Sequence, residues 1–232
     1  MRAAPPVVTF DLFSALLDSR RGGAAAFAGI ARARGWAVDG ETMYDRWDAL
    51  NKAAQRDCEA WVPFPELARG ALEAAYAELG VDGSGAEDTD NLIDSMRDWP
   101  LWHDVAEHLP RWADDGGVAG YRIGLLSNVD DDIFRSTRAA RVVDPAAAMT
   151  SQRLGVYKPD RSIYTRARDR LGPGMVHVAT SARDVRGALE AGCTMIRLRR
   201  PGHPLDPGGP VPPYELDDVR DLPELLTEIA VP

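Results

Sequence analysis

From residue 101 onwards the chain alternates between short β-rich segments and helical segments, and this alternation limits the fold more than any other feature. Strands are predicted at 121–126, 142–143, 175–179, 194–198 and 214–216. Helices are predicted between and after them at 105–112, 131–139, 161–171, 183–191 and 223–229. Strands that alternate with helices form parallel sheets, because the chain crosses back over the sheet before each new strand. The sequence therefore predicts an α/β fold with a doubly wound parallel sheet.

Residues 19–99 follow a different pattern. Their apolar residues recur at three- and four-residue spacing, which is typical of packed helices, and helices are predicted at 20–34, 41–57, 65–79 and 88–97. A short apolar strand, 7–10, precedes this stretch. We predict a core of residues 1–18 and 100–232, with a helical cap of residues 19–99 inserted after the first strand. A chain of 232 residues is long enough to bury both.

The charge balance argues against one class of partner. Twenty-seven Lys and Arg residues against 36 Asp and Glu residues give a net charge of −9, whereas affinity for nucleic acid depends on cationic contacts with phosphates. The sequence has no apolar stretch near the roughly 20 residues that cross a bilayer, and its first residues do not resemble a secretory segment. We expect a cytoplasmic protein with a small-molecule substrate, no nucleic-acid or membrane partner, and unpaired Cys58 and Cys193.

Polar side chains stand at the ends of several predicted strands. They are Asp11 after strand 7–10, Ser127 and Asn128 after strand 121–126, Lys158 before a helix, and Thr180, Ser181 and Asp184 after strand 175–179. Ligands of parallel α/β sheets bind at the carboxyl ends of the strands, so we expect these side chains to meet in one crevice. A carboxylate, a lysine that keeps it ionised, and hydroxyl and amide donors form a set suited to covalent catalysis.

In this order and spacing the motifs resemble those of the haloacid dehalogenase superfamily. The matching segments are Phe10-Asp11-Leu12-Phe13 through Asp18, Leu125-Leu126-Ser127-Asn128, Gly155-Val156-Tyr157-Lys158-Pro159-Asp160, and the stretch from His177 to Gly192. The resemblance covers essentially the whole chain. It implies a Rossmann-like core with a helical cap inserted after the first strand, and a hydrolase in which Asp11 is the nucleophile.

The residue two positions after Asp11 favours one branch of this superfamily. Phosphatases that resemble this chain carry a second aspartate there, which protonates the departing alkoxide, whereas this chain has Phe13. A phenylalanine has no proton to donate, but a halide leaves as a stable anion without one. The branch that acts on 2-haloacids also carries an aromatic residue there. The resemblance therefore implies hydrolysis of a small 2-haloacid through an aspartyl ester, with no metal or other cofactor expected.

The resemblance also implies a role for each site residue. Asp11 attacks the substrate, Lys158 keeps Asp11 ionised, and Asp184 orients or activates the water that hydrolyses the ester. A cap arginine that grips the substrate carboxylate has no clean counterpart, because Trp47-Asp48 stand at its position. The expected substrate-binding residues are Phe13, Ser127, Asn128, Tyr164, Ser181 and, in place of the cap arginine, Arg46.

Two other functions stay open from the sequence. A magnesium-dependent phosphatase of a small phosphoester would use Asp11 and Asp184 as metal ligands. A degenerate member that binds a metabolite or a partner without turnover is favoured by Ser14 and Ala15, which replace the glycine and threonine of the family. The tryptophan-rich cap could also pair with a second copy in a homodimer.

Structural roles compete with functional ones at several of these positions. Ser181 and Asp184 have the S-x-x-D spacing of a helix cap, and this reading is favoured when the pair is taken alone. A lone tyrosine such as Tyr164 more often packs in a core. The four histidines show no ligand spacing, so His177 and the others are expected to be structural. Asp11 is different, because a buried carboxylate after an apolar strand needs a charged partner.

Overall fold

The computed structural model describes residues 4–229. Within this range the strands are β1 (Val7–Phe10), β2 (Arg122–Ser127), β3 (Ala148–Thr150), β4 (Val176–Ala179), β5 (Thr194–Leu198) and β6 (Tyr214–Leu216). The α-helices are α1 (Ser19–Arg34), α2 (Gly40–Asp57), α3 (Phe64–Leu79), α4 (Gly85–Ser95), α5 (His103–Asp114), α6 (Asp131–Ser136), α7 (Ser151–Leu154), α8 (Arg161–Leu171), α9 (Ala182–Glu190) and α10 (Leu222–Glu228). A single π-helical turn, Leu12–Leu16, follows β1 directly.

The six strands of the described range form one parallel sheet in the order β3-β2-β1-β4-β5-β6. All four residues of β1 are buried, as expected for a central strand covered on both faces. In register, Phe10 of β1 lies between Leu125 of β2 and Val178 of β4. The strand order reverses between β1 and β4, which is where ligands bind in sheets of this kind. The predicted doubly wound parallel sheet is confirmed.

Residues 19–99, which we call the cap, contain four helices that pack on one another. Helix α1 contacts α2 and α4, and α3 contacts α2 and α4, so the four close into a bundle. The chain enters and leaves the cap side by side: Leu17 and Leu101 form an isolated antiparallel bridge, and the Asp18 amide donates to the carbonyl of Pro100. The division of the chain into cap and core stays a prediction that this arrangement favours.

One predicted strand is wrong. Val142 and Val143 are buried but lie after a 3-10 turn, Arg138–Arg141, because the amide of Val142 donates to the carbonyl of Ala139. The third strand is instead β3. Only Thr150 of its three residues has a high β propensity, and the strand pairs with the end of β2. Pairing with a neighbouring strand has overridden local preference here.

The helix predicted at 88–97 begins and ends earlier, as α4. Ser84 caps it by accepting a hydrogen bond from the Glu87 amide, while the carboxylate of Asp88 reaches back to the Ser84 amide. These two bonds satisfy amides at the helix start that would otherwise lack partners. A 3-10 turn, Met96–Asp98, follows the helix.

Two further expectations concern membranes and cysteines. None of the helices between residues 4 and 229 combines the length and apolar character needed to cross a bilayer. Cys58 and Cys193 are both free thiols, as predicted from their distance in sequence and the absence of a paired spacing.

Three glycines of α1 differ in their surroundings. A Cβ added to Gly23 would lie 2.2 Å from Cδ2 of the buried Tyr44, and one added to Gly22 would meet Trp99 at 2.5 Å. Helices α1 and α2 therefore approach closely at Gly23 because it has no side chain, and Gly22 leaves room for the Trp99 ring. A Cβ added to Gly29, on the exposed face of the same helix, has no neighbour within 4 Å.

We predict opposite effects of the same substitution at two of these sites. Gly29→Ala should raise the free energy of unfolding by about 0.5–1 kcal/mol, because alanine favours a helix and meets nothing. Gly23→Ala should lower it by about 1–3 kcal/mol, because Tyr44 has to move within a packed core. Urea unfolding of both variants checks this, and equal stabilisation of the two would show that the α1–α2 contact is not tight.

Candidate active site

Asp11 stands at the carboxyl end of β1 with donors on both carboxylate oxygens. Its backbone amide donates to the carbonyl of Val178 in β4, at 3.0 Å. Oδ1 accepts from Nζ of Lys158 at 2.7 Å and from the Ser127 hydroxyl at 3.2 Å. Oδ2 accepts from the amide and the hydroxyl of Ser14, at 3.1 and 2.8 Å. Asp11 is buried, and this set of donors satisfies its charge.

The turn that carries Ser14 is fixed by contacts from outside the site. The indole Nε1 of Trp102 donates to the Ser14 carbonyl at 2.9 Å, and Arg200 donates to the carbonyl of Ala15 at 3.2 Å while its guanidinium lies over the Trp102 ring. The Ser14 hydroxyl in this fixed turn binds Asp11 directly.

Lys158 lies between two carboxylates and is 2 % exposed. Its Nζ donates to Asp11 Oδ1 at 2.7 Å, to Asp184 Oδ2 at 2.5 Å and to the carbonyl of Leu126 at 2.9 Å. These three acceptors use all three ammonium protons. The Lys158 backbone is held as well, because Asn128 accepts from its amide at 2.7 Å and donates to its carbonyl at 3.0 Å.

A buried network continues behind Asp184. Its Oδ1 accepts from the Tyr164 hydroxyl at 2.7 Å and lies 3.2 Å from Nε2 of His177. Nδ1 of His177 lies 3.0 Å from the Thr9 hydroxyl, and these two residues are direct neighbours in the β1–β4 register. Nε2–H of the imidazole donates to the carboxylate, and the Thr9 hydroxyl, which donates to the carbonyl of Val176 at 3.3 Å, contacts Nδ1. The network therefore runs from β1 through β4 to Lys158.

The electrostatics favour three charged groups at neutral pH. Burial opposes ionisation of Asp11, but the ammonium of Lys158 outweighs it and places the pKa of Asp11 below its usual range. Burial likewise opposes the charge of Asp184, and Lys158 and His177 bring the pKa of Asp184 far below its usual value. The two carboxylates in turn raise the pKa of Lys158 against its own burial.

A cavity of about 380 Å³ lies between the cap and the carboxyl edge of the sheet. One wall is aromatic: Phe13 stacks on Phe64 with ring centroids 5.9 Å apart and meets the edge of Trp99 at 6.0 Å. The other wall is polar. The lining residues are Asp11, Phe13, Ser14, Ser19, Arg20, Tyr44, Asp45, Trp47, Asp48, Asn51, Lys52, Gln55, Phe64, Trp99, Asn128, Lys158, Ser181, Arg183, Asp184, Pro201, Gly202 and His203.

Five of the predicted site residues line this cavity, and their roles stay predictions: Asp11, Phe13, Lys158, Ser181 and Asp184. Asn128 lines it too, but its amide is engaged by the Lys158 backbone and by Gln55. Its expected contact with substrate is corrected to a positioning contact.

Three other expected substrate-binding residues do not line the cavity. Ser127 is fully buried and its hydroxyl binds Asp11. Tyr164 is fully buried beneath Asp184. Arg46 forms an ion pair with Glu78 of α3 instead of reaching the cavity. The expectations for these residues are corrected, because each polar group already has a protein partner elsewhere.

The helix-cap reading of Ser181 and Asp184 is also corrected. Ser181 precedes α9 with extended backbone, but its side chain makes no capping hydrogen bond. The carboxylate of Asp184 turns away from the helix start and binds Lys158. The S-x-x-D spacing is therefore present without the reciprocal bonds of a capping box.

Sequence reasoning missed three residues of the site. His177 was expected to be merely structural, although a fully buried histidine in an apolar strand requires hydrogen-bond partners and so signals a network. No sequence pattern pointed to Gln55 or Arg183, because their contribution to the site is a hydrogen bond between the cap and the core. Gln55 Oε1 accepts from Asn128 at 2.9 Å and from Arg183 at 2.8 Å.

The arrangement does not fit a magnesium ion held by Asp11 and Asp184. The ammonium of Lys158 lies between the two carboxylates and bonds to both. The described residues also contain no cluster of three or more histidine, cysteine or acidic side chains suited to a metal ion. Magnesium in proteins needs several oxygen ligands in octahedral geometry. Both carboxylate oxygens of Asp11 accept hydrogen bonds from protein donors instead.

The sheet order, the aspartate after β1 and the lysine between two carboxylates define a capped α/β protein with a buried Asp–Lys–Asp site. No family model matches the chain. Over 145 residues it is 30% identical to (S)-2-haloacid dehalogenase 4A of Burkholderia cepacia, a match that covers 60% of this chain and 58% of that protein. The matched part is thus less than two thirds of the relative's length.

Solved structures extend the likeness to nearly the whole chain. An L-2-haloacid dehalogenase from Xanthobacter autotrophicus with chloropropionic acid covalently bound has a TM-score of 0.79 at 18% identity, covering 97% of this chain and 100% of that one. The HAD-hydrolase YfnB from Bacillus subtilis, bound to magnesium, has a TM-score of 0.77 at 14% identity, with 97% and 100% coverage. The chain therefore shares the fold of these solved structures over nearly its whole length and is similar in sequence, over part of its length, to a 2-haloacid dehalogenase.

We predict that Lys158→Met destabilises the protein in a pH-dependent way. At pH 7.5 the free energy of unfolding should fall by about 3–5 kcal/mol, because two buried carboxylates lose their cation. In the parent, the low pKa values of Asp11 and Asp184 contribute stability above about pH 4 that is lost as the pH falls through them. In the variant, burial raises both pKa values, so the variant should gain stability as the pH falls from 7.5 towards 4.5.

The matched control is Lys52→Met, which removes the chain's only other lysine. Lys52 pairs with Asp48 in a half-exposed ion pair, and its loss should cost less than about 1 kcal/mol at either pH. Urea unfolding at pH 7.5 and 4.5 measures both variants. A Lys158→Met protein with the pH dependence of the parent would contradict a charged Asp–Lys–Asp site.

Proposed function

We propose that the protein hydrolyses a small 2-haloacid with Asp11 as nucleophile. The observation that carries this proposal is an ionised carboxylate at a cavity wall, held by Lys158 and followed two residues later by Phe13. A site with no proton donor at that position suits a leaving group that departs as an anion. The names of the relatives, which are 2-haloacid dehalogenases, support the same reaction.

In the first step an Asp11 oxygen forms a bond to the α-carbon of the substrate, and the carbon–halogen bond breaks with its electron pair on the departing halide. The four donors around Asp11 fix the carboxylate for this attack. The aromatic wall around Phe13 keeps the reacting carbon in an apolar environment. The product of the step is an ester between Asp11 and the substrate.

In the second step water adds to the Asp11 carboxyl carbon and the acyl–oxygen bond breaks. This releases a 2-hydroxy acid and a proton and restores the carboxylate. Lys158 stabilises the negative charge that develops on the carboxyl oxygen, and Asp184 orients the lysine and the water. The very low pKa of Asp184 makes it a weak base, so we assign it orientation before proton abstraction.

The other two functions receive less support. A phosphatase lacks a proton donor at Phe13 and a pair of carboxylates free for magnesium. A non-catalytic binder has no need for a nucleophile with four donors. We propose a cytoplasmic enzyme that works without a cofactor, and pairing of two caps in a homodimer stays a prediction.

We predict that Asp11→Asn abolishes halide release from 2-chloropropionate, with a loss of at least about 1000-fold in kcat, because an amide is a poor nucleophile. In the parent, turnover in ¹⁸O-labelled water should place the label in the Asp11 carboxylate, as shown by mass spectrometry of the peptide that contains it. The 2-hydroxy acid should have the configuration inverted at the α-carbon.

Asp217→Asn serves as the control, because Asp217 is an exposed carboxylate paired with Arg199 far along the chain. It should keep full activity. A parallel screen for halide and phosphate release, with and without magnesium, separates the three functions. Magnesium-dependent phosphate release without halide release would establish a phosphatase, and a lack of any turnover would leave a binding protein.

A further inference from the structure

Four side chains bring a permanent positive charge to the cavity, and three of them are already paired. The four are Arg20, Lys52, Lys158 and Arg183. Arg20 binds Asp45 and Glu41. Lys52 binds Asp48, and Lys158 binds the two site carboxylates. Arg183 is different, because no carboxylate of residues 4–229 lies within salt-bridge distance of it.

Arg183 is held in place without being neutralised. One guanidinium nitrogen donates to the carbonyl of Lys52 at 3.0 Å, and the other donates to Gln55 Oε1 at 2.8 Å. Both acceptors are uncharged groups of α2 in the cap, whereas Arg183 belongs to α9 of the core. Two of the five N–H groups of the guanidinium are used in this way, which leaves three for a ligand.

The surroundings make an unpaired charge at this position costly. Burial lowers the pKa of Arg183, although Asp184, Asp48 and Asp11 act in the opposite direction from beyond salt-bridge distance. A partly buried cation without a charged partner gains from an anion that enters the same cavity. A negatively charged ligand in the cavity would therefore stabilise the Arg183 guanidinium in place of the water that burial removes from it.

We propose that Arg183 is the residue that binds the carboxylate group of the substrate. The proposal rests on the proposed dehalogenase function and adds the group that orients the substrate. A planar guanidinium can bind a carboxylate through two parallel hydrogen bonds, which fixes the direction of the acid as well as its position. With its acid group on Arg183, the substrate has its apolar substituent available for the aromatic wall around Phe13 and Phe64.

In this proposal a core residue takes the carboxylate-binding role that the sequence predicted for Arg46 of the cap. The cation comes from the core helix α9 and is oriented by the cap through Gln55. Gln55 also accepts from Asn128, which holds the backbone of Lys158. One cap residue therefore fixes both the proposed anion-binding arginine and the residue that supports the catalytic lysine.

The test measures binding of a carboxylate that cannot react. Sodium butyrate is titrated into the parent and into the Arg183→Met, Arg183→Gln and Arg186→Met proteins, with ligand NMR as the readout. Removal of the charge should weaken butyrate binding about 10- to 100-fold, the range expected for hydrogen bonds to a charged group. Arg186→Met, on the same helix but half-exposed and paired with Asp206, should bind within twofold of the parent.

The neutral analogue butyramide tests whether charge is what Arg183 recognises. Its weak binding should be the same in the parent and in the Arg183 variants. Arg183→Gln keeps a donor for Gln55, so it provides a folded protein if Arg183→Met does not fold, which far-UV circular dichroism shows. A folded, charge-free variant that binds butyrate as tightly as the parent would overturn the proposal, as would a parent that does not bind butyrate.

Kinetics with 2-chlorobutyrate separate this proposal from the proposed function. If both hold, the Arg183 variants should raise KM at least 10-fold while kcat changes less. Butyrate binding that depends on Arg183, without halide release by the parent, would reject the dehalogenase function and keep the anion site. Halide release with an unchanged KM in the variants would keep the function and reject Arg183 as the anchor.

Discussion

The ammonium of Lys158 between two buried carboxylates is the interaction on which the rest of this site depends. A buried ion pair is costly when one partner is missing, so the fold has to bring all three charges together with their hydrogen bonds complete. Lys158 bonds to Asp11, Asp184 and a backbone carbonyl at once. Those bonds keep Asp11 charged and also fix the loops that follow β1, β2 and β4.

The support for this interaction comes from two directions. From the core, Thr9, His177 and Tyr164 form hydrogen bonds that orient Asp184 from behind. From the cap, Gln55 bonds to Asn128, which holds the Lys158 backbone. The cap therefore does more than cover a cavity, since one of its side chains is part of the network that positions Lys158.

The cavity combines these charges with an aromatic wall, and the combination suits a small anion with an apolar substituent. On the side of Phe13, Phe64 and Trp99 the cavity wall is apolar, which suits the apolar part of such a ligand. On the polar side Arg183 supplies an unpaired positive charge. The reaction proposed for Asp11 and the carboxylate binding proposed for Arg183 are separate proposals about the same substrate.

Much of the architecture followed from local patterns. The alternation after residue 100 predicted the parallel sheet, the three- and four-residue spacing predicted the cap helices, and strand-end positions predicted that Asp11, Lys158 and Asp184 would meet. The strand at Val142-Val143 was wrong, because β propensity is weaker than the pairing that a neighbouring strand offers. The expected contacts of Ser127, Tyr164 and Arg46 were also wrong, since sequence spacing does not show which partner a polar group finds.

The sequence by itself determined the fold class and the residues that carry charge at the strand ends, because periodicity and strand-end placement are local properties of the chain. Only the tertiary structure decided how those charges are shared. His177 meets Thr9 and Asp184 because β1 and β4 are neighbours in the sheet. Gln55 meets Arg183 because the cap folds back over the core. Contacts between residues far apart in sequence depend on packing, which no local pattern records.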